Sequence, residues 1–447
     1  MDLWRGQRAE RESAPPGEVS FFPVETNARE VDLLVTGIGE LVTATGTEPA
    51  GGVALGQVVR TRDAALAVTG DVIVAAGPED DVCAGCEGAR VLDANGGVVI
   101  PGFVDAHTHP VFAETRENEF ELRLAGKSYV EIAAAGGGIA SSVKSVREAS
   151  KEVLLARLLV RLDRFLSLGT TTVEAKTGYG LSLEDEMKCL EVIRDAAAQH
   201  PVELVPTFLG AHDYPPEFKD RRSEYVDLLL EEMLPAVAES GLAEYADVYT
   251  ESHVFGIEDS RRIMERAAEL GLRLRLHVDQ LTPLGGAELA AELGADSADH
   301  LECISEEGIQ ALGEAGVVPV LCPLVPLFIG QTEEAPGRRI VDAGLALAIA
   351  TDFNPGSCYV QSLPEALSWA ALRYGLSAAE CLVAATRNAA CSLRRGETIG
   401  TLEVGKQADF ILTDLPNLEH LTYELGRSPV RTVVKRGEVV YERGGAA

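Results

Sequence analysis

Between residues 102 and 351 short β-type runs alternate with amphipathic helical runs, and this constrains the chain more than any other feature. The strand-like runs are 102–106, 170–176, 203–209, 245–250, 273–278, 296–300, 317–322 and 346–351. Helical periodicity separates most of them, at 151–168, 182–199 and 259–270 for example, and a further helix is expected over 120–134. Parallel neighbours need a long crossover, so strand–helix alternation predicts a parallel sheet covered by helices. Eight such units close into a (β/α)₈ TIM-like barrel, expected here over 101–394. The flanks differ. Runs 31–36, 66–69, 71–76 and 98–100 precede the barrel, and 409–413, 432–435 and 438–441 follow it. Chain ends often lie close together, so 29–100 and 395–447 are expected to build one small β-sandwich domain. Residues 1–28 are polar and read as a tail. The fold class is therefore α/β.

Composition narrows the function. The 447 residues include 70 acidic and 39 basic ones, a formal charge of −31. Such a surface repels phosphate backbones and anionic lipid, so a nucleic-acid or membrane partner is not expected. The apolar share of 46% and charged share of 24% are those of a globular chain with a large core. Eight cysteines are dispersed, and the one close pair, Cys83 and Cys86, sits in a loop-like stretch without the second pair a zinc knuckle needs. With no apolar leader and no run of about 18 apolar residues, the expected address is the cytoplasm.

In a barrel of this kind the chemistry lies where the strands end. The first strand runs into Asp105-Ala106-His107-Thr108-His109. In extended chain, residues two apart point the same way, so the two imidazoles project together. The fifth strand ends with His277, the sixth with His300, and the eighth leads to Asp352. Either histidine or the aspartate alone would read as an ordinary polar strand end; together they predict a metal site. Three imidazoles and a carboxylate suit zinc or iron, and a bound ion lowers the pKa of its water toward about 7.

Around these residues stand GGVVIPGFVDAHTHP at 96–110, HPVFAETRENEF at 109–120, KTGYGL at 176–181, FLGAH at 208–212, DVYTESHVF at 247–255, SADHL at 297–301, ATDFNPGS at 350–357 and GKQADFIL at 405–412. Over nearly the whole chain these resemble the amidohydrolase superfamily, and more narrowly its branch in histidine degradation. The resemblance implies hydrolysis of the cyclic amide 4-imidazolone-5-propanoate to N-formimidoyl-L-glutamate. It implies one Zn²⁺ or Fe³⁺ per subunit on His107, His109, His277 and Asp352, with His300 beside the reacting carbonyl. Arg116, Tyr179 and His212 would hold the substrate, and Asn354, Gly356 and Ser357 would contact it. A homodimer is the expected assembly. The residue chemistry agrees at Arg116, since a guanidinium fork suits a propionate.

One position departs from the resemblance. Many members carry Glu three residues after the strand-five histidine, where this chain has Gln280. An amide cannot serve as a general base, so Gln280 is read as a binding residue and the base falls to Asp352 or His300. Asp279 is either a partner of the site or a loop cap. Lys176 counts onto strand two rather than the strand-four place of a bridging lysine, so a single metal is expected, with Glu251 either a second ligand or a hydrogen-bonding residue of the loops. The glycines at 136–138 lack a phosphate-loop pattern and read as a lid or a linker. The competing readings are another ring hydrolase or deaminase on the same scaffold, and a barrel without catalysis.

Overall fold

The structure is a computed structural model and describes residues 29–127, 131 and 137–444. The expected tail at 1–28, most of the second half of the helix expected over 120–134, and Gly136 lie outside the described residues; the helix itself runs Glu117–Leu124.

The N-terminal strands are β1 (Arg29–Thr43), β2 (Val59–Thr69), β3 (Val72–Pro78), β4 (Cys86–Asp93) and β5 (Val98–Pro101). β1 pairs antiparallel with β2 along its length and parallel with β4 and then β5 on its other edge. The barrel strands follow in chain order: β6 (Phe103–Asp105), β7 (Thr170–Lys176), β8 (Glu203–Ala211), β9 (Tyr245–Thr250), β10 (Arg273–Val278), β11 (Ser297–His300), β12 (Val318–Leu321) and β13 (Ala348–Ile349). All pair in parallel with their sequence neighbours, as the alternation predicts. Serine caps start several intervening helices: Ser150 accepts from the Val153 amide ahead of Lys151–Ser167, and Ser182 from Asp185 ahead of Leu183–Ala197.

The barrel closes just beyond its first and last strands. The Asp352 amide donates to the His107 carbonyl at 3.1 Å, and the His109 amide to that of Phe353 at 2.8 Å. Asp105 accepts from the Thr351 amide and hydroxyl at 3.1 and 2.6 Å.

The C-terminal strands β14 (Phe410–Thr413), β15 (Val430–Lys435) and β16 (Glu438–Glu442) return to the N-terminal sheet, with β14 antiparallel to β5. One mixed eight-stranded sheet results, drawn from both ends of the chain. Its side chains alternate as the strand period requires. Phe410, Leu412 and Val434 join Leu33, Val35, Leu66 and Val99 in the sheet's own core, while Ile411 and Val433 face the barrel core.

The stretch around Cys83 and Cys86 corrects an expectation. It is not a loop: Cys83 is exposed on the short helix Glu79–Gly85, and Cys86 opens β4. Glu79, Asp80 and Asp81 fill the first helical turn, where they complement the helix dipole. Both thiols are free.

Candidate functional site

His107 and His109 lie on the closing segment after β6, His277 on β10, His300 at the end of β11, and Asp352 just after β13. All five are at least 97% buried. His109 Nε2 is 3.2 Å from His277 Nε2, while Asp352 Oδ1 is 3.5 Å from His107 Nε2 and 3.3 Å from His109 Nε2. A tetrahedron whose corners stand about 2.0–2.1 Å from its centre has edges of about 3.3–3.4 Å, so these atoms are spaced as zinc ligands are. His107 Nε2 and Asp352 Oδ1 are buried without a hydrogen-bond partner among the described residues. That is the expected condition of donors awaiting a cation.

The rings are aimed from behind. His107 Nδ1 is 2.7 Å from Asp299 and His277 Nδ1 is 2.9 Å from Asp247. A carboxylate at Nδ1 assigns the ring proton there and leaves the Nε2 lone pair toward the centre. Lys176 Nζ ties these carboxylates together, 2.7 Å from Asp247, 3.8 Å from Asp299 and 2.8 Å from Glu174. Arg275 lies 3.4 Å from Asp299 and donates to the carbonyls of Ser392 and Ala106. Every member of this ion cluster is sealed from solvent except Asp247, which is 2% exposed.

Burial, and then the Lys176 charge, hold His107 and His109 well below the usual imidazole range, and burial brings His277 and His212 down to about 3. These imidazoles are neutral at pH 7, the form that binds metal. His300 runs the other way. Burial opposes its charge, but the adjoining Glu302 carboxylate, helped by Asp352 and Asp299, lifts it to about 8. At neutral pH it therefore carries a proton to donate.

Above the donors opens a pocket of about 510 Å³. His109, Arg116, Tyr179, His212, His277, Gln280, His300, Asp352, Asn354 and Ser357 line it. The His107 ring, 4.3 Å from that of His277, is not part of this lining. Gly356 serves differently, because its missing side chain makes room: a Cβ there would stand 1.3 Å from Arg116 Nη2. Arg116 is 6% exposed, its Nε is 3.3 Å from Glu119, and its Nη1 has no hydrogen-bond partner among the described residues. Gly178 has φ of +105°, and a Cβ would meet His212 Nδ1 at 2.9 Å. The turn around it is held by Glu186, which accepts from the amides of Gly178, Gly180 and Leu181. His212 Nδ1 donates to the Gly178 carbonyl at 2.9 Å, leaving Nε2 for the pocket.

The structure resolves several open alternatives. Glu251 accepts from the amides of Leu281 and Thr282 and from the Thr282 hydroxyl, so its carboxylate is committed to the loop after β10. Asp279 caps the same loop, accepting from the amides of Leu284, Gly286 and Ala287. Asn354 reaches the pocket wall, but its amide works within its own turn. Nδ2 donates to Asp352 Oδ2 at 3.0 Å and Oδ1 accepts from the amides of Gly356 and Ser357. It steadies one Asp352 oxygen while the other faces the imidazoles. Sequence reasoning gave no role to Asp247, Asp299, Glu174, Arg275, Glu186 or Glu302. For Glu174, Asp247, Arg275 and Asp299 the available signal was charge inside predicted barrel strands, which must find a partner.

The amidohydrolase family model matches residues 98–440. The imidazolonepropionase of Symbiobacterium thermophilum is 49% identical over 420 residues, 93% of this chain and 99% of that protein. That of Solibacter usitatus is 47% identical over 406 residues, 90% and 97% of the two chains. Among solved structures, an adenosine deaminase from Xanthomonas campestris with bound zinc covers 92% of this chain and 93% of its own at TM-score 0.68 and 22% identity. Escherichia coli guanine deaminase superposes at 0.69 with 16% identity, covering 92% and 100%. These two show a shared fold. By the family match and the near full-length relatives, the chain belongs to the amidohydrolase family and, within it, to the imidazolonepropionases, hydrolases of the carbon–nitrogen bond of a cyclic amide.

Proposed function

We propose that this pocket hydrolyses the ring amide of 4-imidazolone-5-propanoate to N-formimidoyl-L-glutamate, with one Zn²⁺ or Fe³⁺ held by His107, His109, His277 and Asp352. The observation that carries the reading is the set of Nε2 and Oδ1 separations of 3.2–3.5 Å among these residues, with two of the donor atoms buried and unpartnered. A cation there supplies Lewis acidity, polarising a carbonyl and lowering the pKa of a coordinated water toward about 7. All eight cysteines are free thiols, which supports a reducing, cytoplasmic setting.

The chain's own residues divide the remaining work. Arg116 brings a buried guanidinium with an unused Nη1 to the pocket, and a propionate satisfies it. Tyr179 and His212, with ring centroids 5.3 Å apart, form an aromatic wall for a flat heterocycle. With the propionate fixed, the ring carbonyl faces the donor cluster. The Asp352 carboxylate takes the proton from the attacking water and passes it to the ring nitrogen as the carbon–nitrogen bond breaks. His300, beside the Glu302 carboxylate that favours its charged form, donates to the oxygen on which negative charge develops. Gln280 lines the pocket as a neutral hydrogen-bonding group.

Incubating the metal-loaded protein with 4-imidazolone-5-propanoate should yield formimidoylglutamate, and prior removal of metal with a chelator should abolish the product. Turnover that survives complete metal removal would overturn the assignment. A second expected outcome concerns Gly356. The Ala variant should push the Arg116 head group aside and raise KM by roughly 10- to 100-fold, the worth of a charge-assisted hydrogen bond, with little loss of stability. Arg116→Ala should match that rise, and the double variant should add nothing. An unchanged KM in Gly356→Ala would show that Arg116 does not hold the substrate.

A further inference from the structure

Both residues at the turn after β11 take a backbone conformation that side-chain-bearing residues avoid. His300 has φ of +79° and Leu301 of +68°, and neither is glycine. Each such residue costs of order 1–3 kcal/mol and persists only where surrounding structure enforces it. Here the turn is pinned on both sides: the Leu301 amide donates to the Val278 carbonyl and the Cys303 amide to that of Asp279. Its result is to fold Glu302 back beside His300, with Glu302 Oε1 3.7 Å from His300 Nδ1.

Glu302 differs from the other acids of this wall. Glu251 and Asp279 are committed to loop amides. The Glu302 side chain is 1% exposed, and neither of its oxygens has a hydrogen-bond partner among the described residues; His300 Nδ1 has none either. Three buried polar atoms without partners carry a desolvation cost that no structural contact here repays. Glu302 Oε1 and His300 Nδ1 stand 3.7 Å apart, and a shift of under 1 Å would bring them into hydrogen-bond range. Such contacts commonly tighten when substrate fills a site.

We propose that Glu302 is a positioning residue for the reaction: its carboxylate accepts the Nδ1 proton of His300, fixing that ring so that Nε2–H is presented to the reacting carbonyl. The inference rests on the proposed role of His300. It makes the strained turn functional, since relaxing either positive φ would swing the carboxylate away from the ring.

A double-variant cycle tests it, with metal content measured in every protein. Glu302→Gln should lower kcat by roughly 10²-fold with KM changed by less than about 3-fold, because the carboxamide no longer anchors the ring at Nδ1–H and so no longer holds Nε2–H on the reacting carbonyl. Glu302→Asp should recover part of the rate. In the His300→Gln background, Glu302→Gln should cost no more than about 2-fold, as expected of two residues acting through one interaction. If Glu302→Gln does not fold, the comparison of Glu302→Asp in the two backgrounds serves instead. Near-normal kcat in Glu302→Gln, or its full loss repeated without His300, would overturn the inference while leaving the role of His300 standing. Wild-type turnover by His300→Gln would overturn that role and the inference with it.

Discussion

Asp352→Asn should leave a folded barrel that does not turn over, with kcat per bound metal ion reduced by about 10²- to 10⁴-fold from lost proton transfer alone. The geometry sets this expectation. One Asp352 oxygen is engaged by Asn354 Nδ2 at 3.0 Å, and the other faces His107 and His109 without a protein partner. Asparagine keeps the shape of the side chain, so the turn survives. It cannot keep the chemistry, since an amide neither takes a proton from water nor returns one to a departing nitrogen. Burial also raises the pKa of Asp352, opposed by His300 and His277, so the neutral amide relieves a desolvation cost in the metal-free chain. Thermal unfolding of the metal-free variant should therefore match or exceed that of the parent. Turnover close to the parent rate would remove Asp352 from the mechanism.

The second large effect is on stability. Lys176→Met should destabilise the metal-free protein by about 3–5 kcal/mol, the usual consequence of removing one partner from a buried ion group. Lys176 bridges Glu174 and Asp247, and the change leaves three buried carboxylates with Arg275, 3.9 Å from Glu174 and 3.4 Å from Asp299, where two buried cations had balanced them. The same loss should loosen Asp247 and Asp299 behind His277 and His107, weakening metal affinity by roughly 10- to 100-fold. Denaturant unfolding gives the first quantity and chelator competition the second. Pairing the variant with Glu174→Gln, which lowers the uncompensated charge, should restore part of the stability. A Lys176→Met protein as stable as the parent would mean that the cluster is held by something other than its central ammonium.

What the sequence made legible follows from how locally each signal is written. His107 and His109 announce themselves because strand geometry converts a spacing of two into a shared direction. The barrel was legible for the same kind of reason, since alternation is a short-range pattern repeated many times. The ion cluster was not. Lys176, Asp247 and Asp299 come from three strands separated by up to 123 positions, and which charge meets which depends on strand order and register. Asn354 was legible only in part: it lines the pocket, where the resemblance puts it, but that its amide is tied into the turn that steadies Asp352 depends on local geometry the sequence does not announce. Glu302 could not be found at all without the backbone angles of the two residues before it.

The seam of the barrel has one more consequence. Asp105 and Thr351, 246 positions apart, join the first and last strands beside the residues proposed to hold the ion. Those donors converge only once the ring is sealed, so ion uptake would report the end of the folding reaction. By mass action the ion would then act as a clasp, raising the free energy needed to reopen the seam by an amount set by its concentration relative to its dissociation constant.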